Sequence, residues 1–209
     1  MKLWLFDILA CPICKHFPLK LFIFAYQTEE QRFDSYLKTY QEKNKNDFNK
    51  QERIEIIYDD KDQPLIKDEI VIEPNPLEEY LDTILSSIEE LDHIEDLSPS
   101  EASKKCLTLA KESIYNSLKS FAQNPDPKKL KNQLRELFFL NELKIDAEID
   151  SGLLFCESCK RWYPIIDTIP RMLPDEYRDK KSELEFLESK KNLLDEKFFS
   201  LDLKPFNLQ

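Results

Sequence analysis

The chain has 209 residues, with 30 Lys and Arg against 41 Asp and Glu and a formal net charge of −11. Apolar residues make up 41%, enough for a real core despite 34% charged content, so a disordered chain is excluded and the length fits one domain with a large insertion or two small ones. The charge repels a phosphate backbone, and the lone glycine, Gly152, rules out a P-loop or GxGxxG turn for NAD, ATP or S-adenosylmethionine.

Enzyme chemistry is short of parts. The only histidines are His16 and His93, and no GxSxG or HExxH string occurs. Residues 1–11 superficially match a lipoprotein signal, but Asp7 interrupts a stretch already too short for one. Since no run approaches the roughly 18 apolar residues of a membrane span, the chain is expected to be cytoplasmic.

In chain order, residues 19–24 are rich in β-formers and predict a strand. Phe33, Tyr36, Leu37 and Tyr40 have helical spacing, Ile54, Ile56 and Tyr58 suggest an intervening strand, and Leu77, Tyr80, Leu81, Ile84, Ile88 and Leu91 mark another helix. Ser98-Pro99-Ser100-Glu101 reads as a capping box with proline at the first helical position, opening a helix towards Phe121. Asp126-Pro127 starts the next, with Leu130, Leu134, Leu137 and Phe138. The alternation of Ile145, Ala147 and Ile149 predicts a strand over 144–149, and residues 162–169 another. A final helix after Pro174 carries Tyr177, Leu184, Leu187, Leu194 and Phe198. Lys128, Lys129 and Lys131 read as a solvated helix face beside Asp126 and Glu136. Cys106 shares a stripe with Ala102, Ala110 and Ile114 and reads as a buried core thiol.

Two CxxC pairs bracket the rest: Cys11-Pro12-Ile13-Cys14 and Cys156-Glu157-Ser158-Cys159. Two thiolates on one tight turn supply half of a tetrahedral zinc site, and two such turns complete it. A thioredoxin-like redox pair would leave the other CxxC idle, and disulfides conflict with a cytoplasmic chain. Cys11, Cys14, Cys156 and Cys159 are therefore the expected ligands of one structural Zn2+, with His16 a lesser alternative. Four protein ligands leave no position for water, so the metal folds the ribbon and hydrolyses nothing. The fold class is α+β: a small zinc ribbon of antiparallel strands and two knuckles (1–26 and 143–175), a mainly helical insertion (27–142), and a C-terminal helix and tail (176–209).

The opening Met1-Lys2-Leu3 through Cys14 continues late in the chain with Gly152-Leu153-Leu154-Phe155-Cys156, Cys159-Lys160-Arg161-Trp162-Tyr163-Pro164-Ile165-Ile166 and Ile169-Pro170-Arg171-Met172-Leu173-Pro174. Together these segments resemble the multifunctional methyltransferase-activator subunit family. Where that pattern has a glycine in the intervening turn, this chain has Asp167-Thr168. The resemblance implies a non-catalytic partner that binds and stabilises Rossmann-type methyltransferases acting on tRNA, rRNA or release factor, one at a time as heterodimers, with at most indirect RNA contact. It also implies that a strand of this chain extends the methyltransferase sheet by β-augmentation. Matched by position, Ile165, Ile166, Ile169, Pro170, Met172 and Leu173 become the partner-binding candidates. The rival reading is a nucleic-acid-binding zinc ribbon of transcription or translation machinery, for which Lys160, Arg161 and Trp162 are the credible surface set. An autonomous thiol oxidoreductase is a third class, and it requires a reactive low-pKa cysteine.

Overall fold

The structure is a computed structural model and describes residues 1–42, 53–61 and 63–208. In chain order the elements are α1 (Leu3–Phe6), β1 (Lys20–Tyr26), α2 (Glu30–Glu42), β2 (Glu55–Tyr58), β3 (Pro64–Lys67), β4 (Asn75–Pro76), α3 (Leu77–Glu89) and β5 (Ile94–Asp96). They continue with α4 (Glu101–Leu109), α5 (Tyr115–Ala122), α6 (Leu134–Asn141), β6 (Ile149–Phe155), β7 (Trp162–Ile166), β8 (Ile169–Pro170), α7 (Lys180–Ser189) and α8 (Glu196–Phe199). Two compact units result: residues 1–27, 93–99 and 148–209 form the first, and residues 28–92 and 100–147 the second. The segment 93–99, which the sequence places inside the insertion, groups with the two ends of the chain.

The first unit is a five-stranded sheet ordered β5-β1-β6-β7-β8, antiparallel throughout except that β5 runs parallel to β1. Its central strands are apolar on both faces, because each face is covered. Phe22, Leu153, Phe155 and Trp162 lie on one side, joined by Phe24, and Leu21, Ile23, Leu154, Tyr163 and Ile165 lie on the other; all are buried. Leu187, Leu194, Phe198 and Leu203 from the C-terminal segment bury the first of these faces.

Gly152 sits mid-sheet, opposite Ile23 on one side and Ile165 on the other. A Cβ there would lie 2.8 Å from the Phe22 carbonyl oxygen and 3.1 Å from Ile165 Cδ1, so a close strand approach accounts for the single glycine.

Several sequence expectations shift. The predicted strand over 144–149 is helical as far as Asp146, where a π-type turn (Glu142–Asp146) closes α6, and the strand starts at Ile149. The helix cap is Ser100, whose hydroxyl accepts from the Ser103 N–H, so Pro99 precedes the helix and does not begin it. The single helix expected after Pro174 is broken into a 3-10 turn (Asp175–Tyr177), α7 and α8. Leu187, Leu194 and Phe198 pack on the sheet while Tyr177 is exposed, so no continuous helix stripe is needed.

The second unit joins α2 to α6 with a three-stranded sheet, β2-β3-β4. Asp68 organises its turn: the carboxylate accepts from Tyr80 Oη at 2.6 Å, Asn141 Nδ2 at 2.9 Å and the Val71 N–H at 2.6 Å. Cys106 is buried in this unit with its sulfur 3.6 Å from the Phe33 carbonyl oxygen.

Gly152→Ala forces the β1 backbone or Ile165 to move, and overpacking of this kind costs about 1–3 kcal/mol. Urea denaturation of the variant is expected to show a lower midpoint at unchanged slope.

Candidate metal centre and partner edge

Each CxxC forms the same knuckle. In the first, the Lys15 N–H donates to the Cys11 carbonyl at 2.9 Å and the Cys11 N–H to the His16 carbonyl at 3.0 Å. In the second, the Lys160 N–H donates to the Cys156 carbonyl at 2.9 Å and the Cys156 N–H to the Arg161 carbonyl at 2.8 Å. The residue after the second cysteine is left-handed in both, Lys15 at φ 61° and Lys160 at φ 60°. In each, the lysine amine folds back onto a carbonyl of the same loop, Lys15 Nζ to Pro12 O at 2.8 Å and Lys160 Nζ to Glu157 O at 2.6 Å.

β1 leaves the first knuckle and β6 enters the second, and their antiparallel pairing brings the two together. The four sulfurs lie within 4.8 Å of one another, with Cys11 and Cys159 at 3.6 Å and Cys14 and Cys156 at 3.4 Å. A tetrahedral zinc with Zn–S near 2.3 Å needs sulfurs about 3.8 Å apart, whereas a disulfide needs about 2.05 Å. The cysteines are free, and the donor set fits a closed four-thiolate metal site. His16 takes part in the knuckle through its backbone and its side chain does not belong to the cluster.

The thiols differ in environment. The His16 backbone N–H holds the exposed Cys14 thiol down at about 7, while burial pushes Cys156 up to about 12. Cys106 is also pushed up to about 12 by burial, as suits an inert core thiol. Two neighbours of the cysteine cluster carried no signal in the spacing. Burial and then the Cys11 contact raise the Tyr163 hydroxyl well above its ordinary value, and it shares a hydrogen bond with Cys11 Sγ at 3.3 Å. Arg161 binds the Asp175 carboxylate with both Nε and Nη2, at 2.8–3.2 Å, and also faces the Cys159 sulfur.

The partner-binding candidates separate by position. Ile165 is fully buried in β7, Ile166, Pro170 and Met172 are half-buried, and Ile169 and Leu173 are exposed at 62% and 46%. β8 forms one edge of the sheet. The Asp167-Thr168 turn that joins it to β7 has φ 50° and 67°, both left-handed, which is the conformation glycine normally supplies in a tight hairpin. Sequence reasoning also missed exposed apolar residues around the first knuckle of this unit, among them Trp4, Ile8, Ile13 and Phe17. Of the set a nucleic-acid-binding ribbon would present, Trp162 is fully buried and Arg161 is held by Asp175.

Fold and site together define a small mixed α and β protein with paired cysteine knuckles. The chain belongs to the family of Trm112p-like proteins, whose model matches residues 2–167. Membership supports a methyltransferase-activator role in general. Neither the comparison with curated proteins nor that with solved structures gives a match. No helix among the described residues is long and apolar enough to cross a membrane.

Cys106→Ser is expected to retain the full metal content of the chain, and Cys156→Ser to lose it, by elemental analysis. After metal removal without denaturation, iodoacetamide should label Cys14 first and Cys106 only on unfolding, as read by peptide mass spectrometry.

Proposed function

We propose that this chain is a non-catalytic activator and stabiliser subunit that binds S-adenosylmethionine-dependent, Rossmann-type methyltransferases acting on tRNA, rRNA or release factor, one at a time, in the cytoplasm. The family match over most of the chain carries this reading. The metal is one Zn2+ held by Cys11, Cys14, Cys156 and Cys159. When bound it supplies structure alone, because four thiolates leave no coordination position for water.

The β8 edge is the proposed partner contact. Ile169 and Leu173 offer exposed apolar side chains there, with Pro170, Met172 and Ile166 half-exposed beside them. Ile165 contributes from beneath, by fixing β7 against β6. A strand added at this edge gains backbone hydrogen bonds and covers apolar surface at once. Trp162 and Arg161 are committed to the chain's own interior, which argues against the nucleic-acid-binding alternative.

Ile169→Asp and Met172→Asp should each weaken partner affinity by about 2 kcal/mol or more, with zinc content and helicity unchanged. Co-purification with a methyltransferase from the native cell is the measurement, and wild-type yield from both variants would move the binding surface elsewhere. Calorimetric titration of S-adenosylmethionine into the isolated chain should show negligible heat, and micromolar binding would overturn the non-catalytic assignment.

A further inference from the structure

The family match ends at residue 167, yet the chain runs on for a further forty or so residues that are built into the first unit. Leu187, Leu194, Phe198 and Leu203 bury the face formed by Phe22, Phe24, Leu153, Phe155 and Trp162. The Phe198 ring stands edge-on to Phe22 at 5.6 Å and to Phe155 at 5.2 Å. This C-terminal segment lies across the sheet as a strap.

The strap is fastened to the second knuckle through four consecutive residues, each of which also touches the metal-ligand loop or follows directly from it. The Lys160 carbonyl accepts the Lys204 N–H at 2.9 Å, while the Lys160 N–H closes the knuckle onto Cys156. Arg161 holds Asp175 and faces the Cys159 sulfur. The Trp162 N–H donates to the Lys204 carbonyl at 3.3 Å, and its indole Nε1 to the Phe206 carbonyl at 3.0 Å. Tyr163 bonds Cys11 Sγ, and the Arg178 guanidinium lies 5.2 Å from its ring and 5.1 Å from that of Trp162. Arg178 is in turn ion-paired with Glu183, both fully or nearly fully buried.

The strap is less securely packed than the sheet. A cavity of about 280 Å³ opens along its seam, floored by Phe22, Phe155, Phe198 and Leu201 and rimmed by charged residues that include Lys20, Glu157 and Lys197. Among the described residues the buried Arg178 Nη1 meets no hydrogen-bond partner, which is costly for a desolvated charge. The β1–β6–β7 ladder is closed by its own backbone hydrogen bonds and does not depend on the strap for them.

We propose that residues 175–208 are a metal-coupled strap: a filled cysteine site fixes residues 160–163 and with them the strap, and loss of the metal detaches it, baring Phe22, Phe24, Phe155 and Trp162. This rests on the zinc reading of the cysteine cluster. Coupling of two sites is reciprocal, so a weakened strap must also loosen the metal.

The full-length chain is first assayed for zinc by elemental analysis; absence of a stoichiometric metal overturns the zinc reading and the coupling with it. With zinc present, hydrogen exchange of residues 180–208 should accelerate at least about fivefold on chelation, with β1 and β6 changing less. Asp175→Asn, which frees Arg161 in the zinc-loaded chain, should speed zinc transfer to a chromophoric chelator by a similar factor, about fivefold or more. Unchanged strap exchange on chelation, equal loss of protection in β1 and β6, or zinc release from Asp175→Asn at the wild-type rate would each overturn the strap as a metal-coupled element.

Discussion

Four cysteine sulfurs drawn within 4.8 Å of one another set the terms for the first unit. Two thiolates about 4 Å apart repel by about 4 kcal/mol even at an effective dielectric constant near 20, and four of them multiply the penalty. Left to themselves the cysteines must stay largely protonated, and only a cation of high charge allows all four to ionise together. Everything around them suits that charge. Tyr163 shares a hydrogen bond with one sulfur and Arg161 faces another.

This constraint fixes the sheet. The knuckles lie about 145 residues apart in sequence but sit at adjoining ends of β1 and β6, so the register of that ladder, with Lys20 opposite Phe155, decides whether the sulfurs meet. One residue of slip would turn Phe22 and Leu153 to the wrong face and pull the knuckles apart. Gly152 allows the close approach at the centre of the same ladder, and the C-terminal segment then seals the aromatic face that results.

The knuckles were legible in the sequence because their information is local: a cysteine pair, a turn and the spacing that suits zinc. The helices of the second unit were legible for a similar reason, since burial repeats along one face. β5 was not. Ile94-Glu95-Asp96 is three residues long and has no period of its own; its strand character comes from pairing with β1, a partner about 70 residues away. The alternation at Ile145, Ala147 and Ile149 misled because so short a run fits a helix end as well as a strand. The stripe after Pro174 misled differently: Leu187, Leu194 and Phe198 are buried, but by wrapping a sheet, so their spacing need not come from one helix. Among the candidate site residues, spacing identified the cysteines but said nothing of Tyr163 or Arg161, which reach the sulfurs only through the fold. Alternation implied that residues 165–173 could not all face outward, yet only the structure assigns Ile165 to the core and Ile169 to the surface.

The two edges of the sheet are unequal. β5 is three residues long and carries Glu95, which pairs with Lys20, and Asp96, whose carboxylate accepts from the Ser98 N–H and Tyr26 Oη. Short length and charge are how natural sheets discourage a foreign strand. β8 has no such charges, and Ile169 and Leu173 stand exposed at or just beyond it. Yet β8 is weak as a ladder, because Pro170 has no N–H to donate. Fully burying two such side chains stabilises a complex by about 1.5–3 kcal/mol each. A micromolar complex requires about 8 kcal/mol after the cost of association has been met. In the proposed complex, strand addition at β8 therefore gives orientation and part of the affinity, and a stable heterodimer needs more apolar surface from the same unit. Trp4, Ile8, Ile13 and Phe17 are exposed on and after α1, around the first knuckle, whose backbone the proposed metal site would fix. In this reading the zinc takes no part in any reaction, and its contribution to partner binding is to hold that surface rigid before the partner arrives.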